Sequence, residues 1–341
     1  MLHPLRAVAT IMKTGLIIGK FLPPHRGHAF LVETASRQVD RLIVLVCSLE
    51  REAIPGERRV AWVREMFPGA DVRHHRDENP SFPHEHERFW DLWTASIRRL
   101  VPTGPDLVFS SEDYGDELAR RLGARHVLVD RERRAFPVSG QKLLEDPVRL
   151  WNFVPECVRP ELVRRVVVAG PESTGKTTLA RDLAAHFGTA WAPEFARAYL
   201  DRKHAGQTPP SPPCTAEDIP EIARGQLAAE DEAARRSHRV LVCDTDLYAT
   251  RFYAETYFGS CPEWIRETAA ARRYDLHLLL DADVPWVEDA QRDLPHRRHD
   301  MLAWLRAALE SAGRPYRVVA GSWGERQRRT IEAVAAVLGP R

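Results

Sequence analysis

The string Gly170-Pro171-Glu172-Ser173-Thr174-Gly175-Lys176-Thr177 constrains the fold of this chain more than any other. It matches GxxxxGK[ST] and stands between an apolar run, RRVVVAG (164–170), and an amphipathic run, TTLARDLAAHF (177–187). A strand that passes to a helix through such a turn predicts a phosphate loop. The glycines let the backbone curl so that its N–H groups meet phosphate oxygens, and the positive helix end adds to the attraction. Lys176 can reach the β- and γ-phosphates, the Thr177 hydroxyl can hold Mg²⁺, and Thr178 continues the helix start.

The rest of the second half fits a small kinase. RVLVCD (239–244) is an apolar strand ending in Asp244, which places a carboxylate beside the loop for Mg²⁺, though capping the next helix is a common use of such an Asp. Asp246 is assigned to the phosphate acceptor or its activated hydroxyl. Glu194 and Arg197, in WAPEFARAYL, are candidates for lining the acceptor site. The stretch WVEDAQRDLPHRRHDMLAWL (286–305) reads as helix-like and holds Arg292, Arg297 and Arg298. An arginine-rich segment can close over a transferring phosphoryl group, and it can equally be a solvated basic face. The two readings stand level for Arg292, and the solvated face is preferred for the others. No Asn-Lys pair exists, so the guanine-reading NKxD is absent.

The first half carries a second anion-binding string. Gly19-Lys20-Phe21-Leu22-Pro23-Pro24-His25-Arg26-Gly27-His28 follows the apolar run TGLIIGKF (14–21) and opens a helix predicted over 28–39. Backbone N–H groups, the helix dipole, His25, His28 and Lys20 together suit adenylyl transfer, which needs donors for a pentavalent α-phosphorus and a leaving pyrophosphate. A helix cap with a packed core histidine is the plainer alternative. A zinc pair lacks two further ligands. His74, His75, His84, His86, His296 and His299 also lack companion ligands and read as surface or loop residues.

Around these strings, apolar runs without alternation recur between helical patterns: 41–49, 71–77, 106–111 and 125–130 in the first half, and 239–244, 275–281 and 315–321 in the second. They predict two doubly wound α/β domains with parallel sheets. WNFVPECVRPELV (151–163) reads as the connector, and TPPSPPC (208–214) as a surface loop. At roughly 150 residues per domain, 341 residues fit two. The net charge of +1 gives no support to a nucleic-acid-binding surface. The five cysteines are scattered without a CxxC, which suggests a reducing, cytoplasmic setting. No apolar run approaches the ~20 residues that span a bilayer. The first residues lack a signal-peptide core, and Met1 and Met12 are both candidate starts.

GKFLPPHRGH joined to GPESTGKT on one chain resembles the NadR family, bifunctional proteins with an NMN adenylyltransferase domain followed by a ribosylnicotinamide kinase domain. FSSE (109–112), PSFP (80–83), WNFVP (151–155), VCDTD (242–246) and WVEDAQR (286–292) extend the resemblance. It implies a nucleotidyltransferase domain over 14–155 and a P-loop kinase domain over 163–341. Phosphorylation of nicotinamide riboside by ATP would give NMN, and a second ATP would adenylylate NMN to NAD, with Mg²⁺ as cofactor. His25, His28 and Lys20 would act in adenylyl transfer, with Gly19, Phe21, Gly27, Ser139 and Lys142 at that ATP. Glu172, Ser173, Thr174, Gly175, Thr178 and Arg292 would join Gly170, Lys176 and Thr177 at the other. Trp90 or Trp93 would stack on nicotinamide or pack in the core. Partners are small molecules, not nucleic acid or membrane; family members often self-associate, and the sequence leaves the oligomeric state open.

Two departures follow from the same resemblance. The late Ser-x-Thr-x-Ile-Arg-like motif reads Ser139-Gly140-Gln141-Lys142-Leu143-Leu144 here, which removes a guanidinium. The alternative function is therefore a kinase whose first domain binds nucleotide as a regulatory or scaffolding module. About 14 residues precede the first strand, too few for the helix-turn-helix repressor some members carry.

Overall fold

The computed structural model describes residues 12–205 and 207–339. Met1 lies outside them, and Met12 is the first described residue. The chain divides into two compact units, Met1–Val158 and Arg159–Arg341.

The first unit runs β1 (Thr14–Gly19), α1 (Arg26–Ser36), β2 (Arg41–Cys47), α2 (Gly56–Met66), β3 (Asp71–His75), α3 (Phe89–Leu100), β4 (Leu107–Ser110), α4 (Tyr114–Leu122), β5 (Arg125–Leu128) and α5 (Gly140–Glu145). Its five strands are all parallel, in the order β3-β2-β1-β4-β5. Alternate residues of the apolar runs go to opposite faces. Ile17, Val44 and Val46 pack with α1 and α2, while Leu16, Ile43 and Leu45 pack with Ile97 of α3 and Leu118 of α4. Both faces are therefore buried, which is why the strands read as continuous apolar stretches. The chain leaves β1 for β2 on one side, and β4 pairs on the other. A crevice thus opens beyond the carboxyl ends of β1 and β4, the usual ligand position in such sheets.

The second unit runs α6 (Arg159–Leu162), β6 (Arg164–Ala169), α7 (Lys176–Phe187), β7 (Trp191–Ala192), α8 (Phe195–His204), α9 (Asp218–Arg236), β8 (Val240–Asp244), α10 (Leu247–Phe258), α11 (Glu263–Ala271), β9 (Leu276–Leu280), α12 (Arg298–Ser311), β10 (Tyr316–Val319) and α13 (Trp323–Leu338). Its sheet is also parallel, in the order β10-β9-β6-β8-β7. Gly170, at φ 144, leaves β6 where a Cβ would stand 2.7 Å from the Leu280 carbonyl oxygen. Only glycine fits there, and the phosphate loop begins at that residue.

Three sequence expectations change. The helix expected over 286–305 starts only at Arg298, after a 3-10 turn at Pro295–Arg297. Pro285 and Pro295 break the pattern, since each removes an N–H and Pro295 pushes Leu294 out of helical conformation. His75 is not a surface residue. It is 1% exposed on β3, stacked on Trp93 at 5.0 Å. The Pro-rich loop is exposed at Ser211 but buries Pro213 and Cys214. All five cysteines are buried. Among the described residues no helix is long and apolar enough to cross a membrane.

Candidate functional site

In the first unit, β1 ends at Gly19 and the following turn feeds α1, whose cap is His25. His28 lies at the third helical position, where its Nδ1 accepts from the His25 backbone N–H at 3.2 Å. The two rings stand 3.8 Å apart, and Phe21 flanks His28 at 4.6 Å. Because His28 Nδ1 accepts, its Nε2 carries the proton and is left as a donor. His25 is 5% exposed, and its Nδ1 has no hydrogen-bond partner. Burial, and then the Arg133 charge, lower the His25 pKa to about 4. Burial lowers His28 well below its ordinary value, with His25 and Arg133 adding to the effect. Both imidazoles are neutral at pH 7, each with one N–H.

A cavity of about 600 Å³ opens over these residues, lined by Gly19, Lys20, Phe21, His25, Gly27, His28, Trp90, Trp93, Arg133, Ser139 and Gly140 among others. Lys20 is paired with Glu52 at 3.1 Å and donates to Ser81 Oγ at 3.3 Å. Glu52 is held in turn by Arg59, which is fully buried and also donates to the Lys20 carbonyl at 2.8 Å. Trp93 donates to the Pro80 carbonyl at 2.9 Å with one face on His75, and Trp90 lies under Arg121 at 5.8 Å. Both indoles thus pack and line the cavity at once. Ser139 caps α5, its Oγ accepting from the Lys142 N–H at 3.3 Å. The Lys142 side chain is not drawn in: the residue is exposed, like Gln141 and Leu144, and does not line the cavity. The short helix α5 turns only its cap and first residue inward. Arg133, which the sequence reading did not single out, does line it.

In the second unit, Gly175, at φ 86, closes the loop against the Trp323 ring, and Lys176 opens α7. Thr177 Oγ1 donates to Asp244 Oδ2 at 2.6 Å. Asp244 is 1% exposed, its other oxygen has no partner, and its pKa is pushed up to about 6 by burial first and the Glu194 charge second. Lys176 Nζ donates to the Pro171 carbonyl at 2.9 Å, as does Thr174 Oγ1 at 2.8 Å. Ser173 Oγ accepts from the Val287 N–H at 2.7 Å. Glu172 accepts from Tyr253 Oη at 3.2 Å and from the Leu294 N–H at 3.3 Å, and burial raises its pKa. Arg326, fully buried, fixes this end of the unit by donating to the Thr174, Asp281 and Gly321 carbonyls and pairing with Asp283.

The second cavity, about 180 Å³, brings together Glu172, Ser173, Thr174, Gly175, Lys176, Thr177, Thr178, Glu194, Arg197 and Arg292. Gln226, Tyr253, Tyr257 and Cys214, which the sequence did not single out as site residues, also line it. Arg197 pairs with Asp289 at 3.0 Å, and Arg292 donates to the Val287 carbonyl at 2.7 Å. The irregular segment 281–294 is therefore tied to both the phosphate loop and the wall.

Two assignments need correction. Asp246 is not at the acceptor. It is fully buried, caps α10 by accepting from the Tyr248 and Ala249 N–H groups, and bonds His277 Nε2 at 2.9 Å. Its carboxylate is spent on structure, as short polar side chains at helix starts commonly are. Arg298 is not on a solvated face either: it donates to the Val284 carbonyl at 2.9 Å, and its Nε and Nη2 are buried without partners. Arg297 is exposed as expected and pairs with Asp300 at 2.7 Å. Among the described residues no three His, Cys, Asp or Glu side chains gather as a metal cluster.

Comparison with known proteins finds the same two units. Residues 16–130 match the model of the cytidylyltransferase-like family, and residues 165–326 match that of an AAA domain. The trifunctional NAD biosynthesis/regulator protein NadR of Salmonella typhimurium is 30% identical over 82% of this chain and 72% of its own length. Its Escherichia coli counterpart is 29% identical over 95% and 83%. A crystal structure of a NadR protein in complex with NR superposes with a TM-score of 0.80 at 23% identity, covering 97% of both chains. Another, in complex with NAD and AMP-PNP, gives 0.77 at 22% and 97% of both. The chain belongs to the NadR family and is a transferase, with a nucleotidyltransferase-type unit followed by a P-loop kinase-type unit.

Proposed function

We propose that the chain carries out NAD salvage in two steps. The domain over 163–341 phosphorylates nicotinamide riboside: the riboside 5′-hydroxyl loses its proton, its oxygen bonds to the γ-phosphorus of ATP, and the bond to the β-phosphate oxygen breaks, releasing ADP and a proton. The domain over 14–155 joins NMN to a second ATP: an NMN phosphate oxygen bonds to the α-phosphorus, and pyrophosphate leaves. The observation that carries this reading is the pair of built anion sites, one in each unit, each following the central strand of a parallel sheet. The NR, NAD and AMP-PNP complexes of related proteins support these substrates.

In the kinase, the Gly170–Gly175 backbone and Lys176 bind the phosphates, and Lys176 leaves the Pro171 carbonyl to do so. Thr177 and Asp244 suit Mg²⁺: both are hard oxygen donors, already adjacent, and Asp244 Oδ1 is a buried oxygen without a partner. An ion held there would supply positive charge to the transferring phosphates. Glu194, Arg197 and Gln226 face the acceptor, and Arg292 faces the phosphates from the irregular segment. In the transferase, neutral His25 and His28 donate N–H bonds to phosphate oxygens, Lys20 leaves Glu52 to add charge, and Ser139 presents the α5 start. Trp90 and Trp93 flank the nicotinamide side.

The second reading, a kinase whose first unit only binds nucleotide, is favoured by Leu144 and the outward Lys142. Two variants separate the readings. Lys176→Ala abolishes riboside phosphorylation and keeps NAD formation from added NMN. His28→Ala does the reverse. NAD formation that falls equally in both variants contradicts independent sites.

A further inference from the structure

One guanidinium enters the first unit's cavity, and it comes from a turn rather than a helix. Of the residues lining that cavity, Lys20 and Arg133 are the cationic ones. Arg133 has φ 51, a left-handed conformation that a non-glycine residue keeps only when its surroundings impose it. The surroundings are specific. The Arg133 N–H donates to the Asp130 carbonyl at 2.8 Å, and the Asp130 carboxylate accepts from the Arg134 N–H at 2.8 Å. The guanidinium donates through Nη1 to the Val138 carbonyl at 2.7 Å and through Nη2 to Glu112 at 2.6 Å. It is thereby pinned between the turn after β4 and the cap of α5, with its side chain still 37% exposed. Two of its donors are used in fixing its plane, and the remainder are free for an anion. Its charge also acts on both imidazoles of the site.

We propose that Arg133 contacts the polyphosphate of the nucleotide bound in the first unit and supplies the guanidinium donors of adenylyl transfer there. This rests on the adenylyltransferase reading of that unit. A fixed planar fork suits charge spread over several phosphate oxygens, where a flexible lysine would act as a point charge. The observed pairing with Glu112 and Val138 holds the fork before the ligand arrives.

The test uses the full chain carrying Lys176→Ala, so that the second unit's nucleotide site is weakened and no NMN is made there. Two quantities are followed: displacement of a fluorescent ATP analogue by ATP, and NAD formation from added NMN. Arg133→Ala raises the ATP dissociation constant about 10-fold and lowers kcat for NAD about 100-fold, the loss typical of one transition-state donor. Arg133→Lys keeps the charge and loses the fork, so ATP affinity stays within a few fold while kcat falls about 10-fold. Arg134→Ala, in the same turn with its side chain in solvent, changes neither. In Arg133→Ala the acid limb of the pH–rate profile also moves to higher pH, because a cation beside His25 and His28 is gone; a merely structural residue would not move it. If Arg133→Ala and Arg133→Lys, both melting like the parent, keep ATP affinity and NAD rate within twofold, the proposal is overturned. If the parent makes no NAD, the function reading fails. ATP affinity alone then decides: a 10-fold loss in Arg133→Ala keeps the contact, and no loss removes it.

Discussion

Gly140→Ala gives a sharp test of how the first site is assembled. A Cβ at Gly140 would stand 2.4 Å from the Leu22 carbonyl oxygen and 3.0 Å from its carbon. Ordinary contact begins at 3.4 Å, so the α5 start must retreat by about 1 Å from the turn that carries His25 and His28. Both partners are backbone, so no side chain can swing aside. Overpacking of this kind costs about 1–3 kcal/mol of stability. The larger effect is on rate, because a misplacement of about 1 Å of a binding group can cost about 100-fold. NAD formation from NMN should fall by that factor, while NMN formation from the riboside stays within twofold. Gly69→Ala, whose Cβ meets nothing within 4 Å, should leave both steps unchanged. A folded Gly140→Ala protein that makes NAD at the parent rate would refute the idea that Ser139 and Gly140 help form the ATP site.

Other perturbations have equally definite outcomes. Thr177→Ala and Asp244→Asn should each lower riboside phosphorylation by at least about 100-fold at saturating Mg²⁺, with NAD formation from NMN retained; steady-state rates of both steps check this. Asp246→Asn should act on stability instead, by about 1–3 kcal/mol through the α10 cap and the His277 bond, with kcat for phosphorylation close to normal; denaturant melts and kinetics separate the two. The first unit should lose stability as pH falls. His25 binds a proton less readily folded, at about 4, than unfolded, at 6.5. The unfolded chain takes the proton first, so this stability is present above pH 6.5 and is lost between 6.5 and about 4, by up to a few kcal/mol. Urea melts across that window, with His25→Gln flattening the slope, measure it.

The sheets and both loops were legible in the sequence because apolar runs and glycine turns are local signals. Gly170 and Gly175 need their conformations wherever the rest of the chain goes. Other features depend on distant partners. Arg133 becomes a cavity residue only because β4, its following turn and α5 converge on it, and nothing in RERRAF ranks it above its neighbours. Asp246 reads as a site carboxylate until the cap and the buried His277, from β9, are seen to use both its oxygens. Arg298 looks like any exposed helical arginine until Pro295 resets where its helix begins. The β7 strand is too short for a pattern and exists through pairing with β8.

The central claim is that one chain performs two successive transfers at separate sites. A time course with Mg²⁺, ATP and nicotinamide riboside labelled in the base, resolving riboside, NMN and NAD, tests it most directly. The label should pass first into NMN and then into NAD, with one pyrophosphate released per NAD. Label that stops at NMN, with added NMN also left unconverted, would contradict the claim and leave the first unit as a nucleotide-binding module.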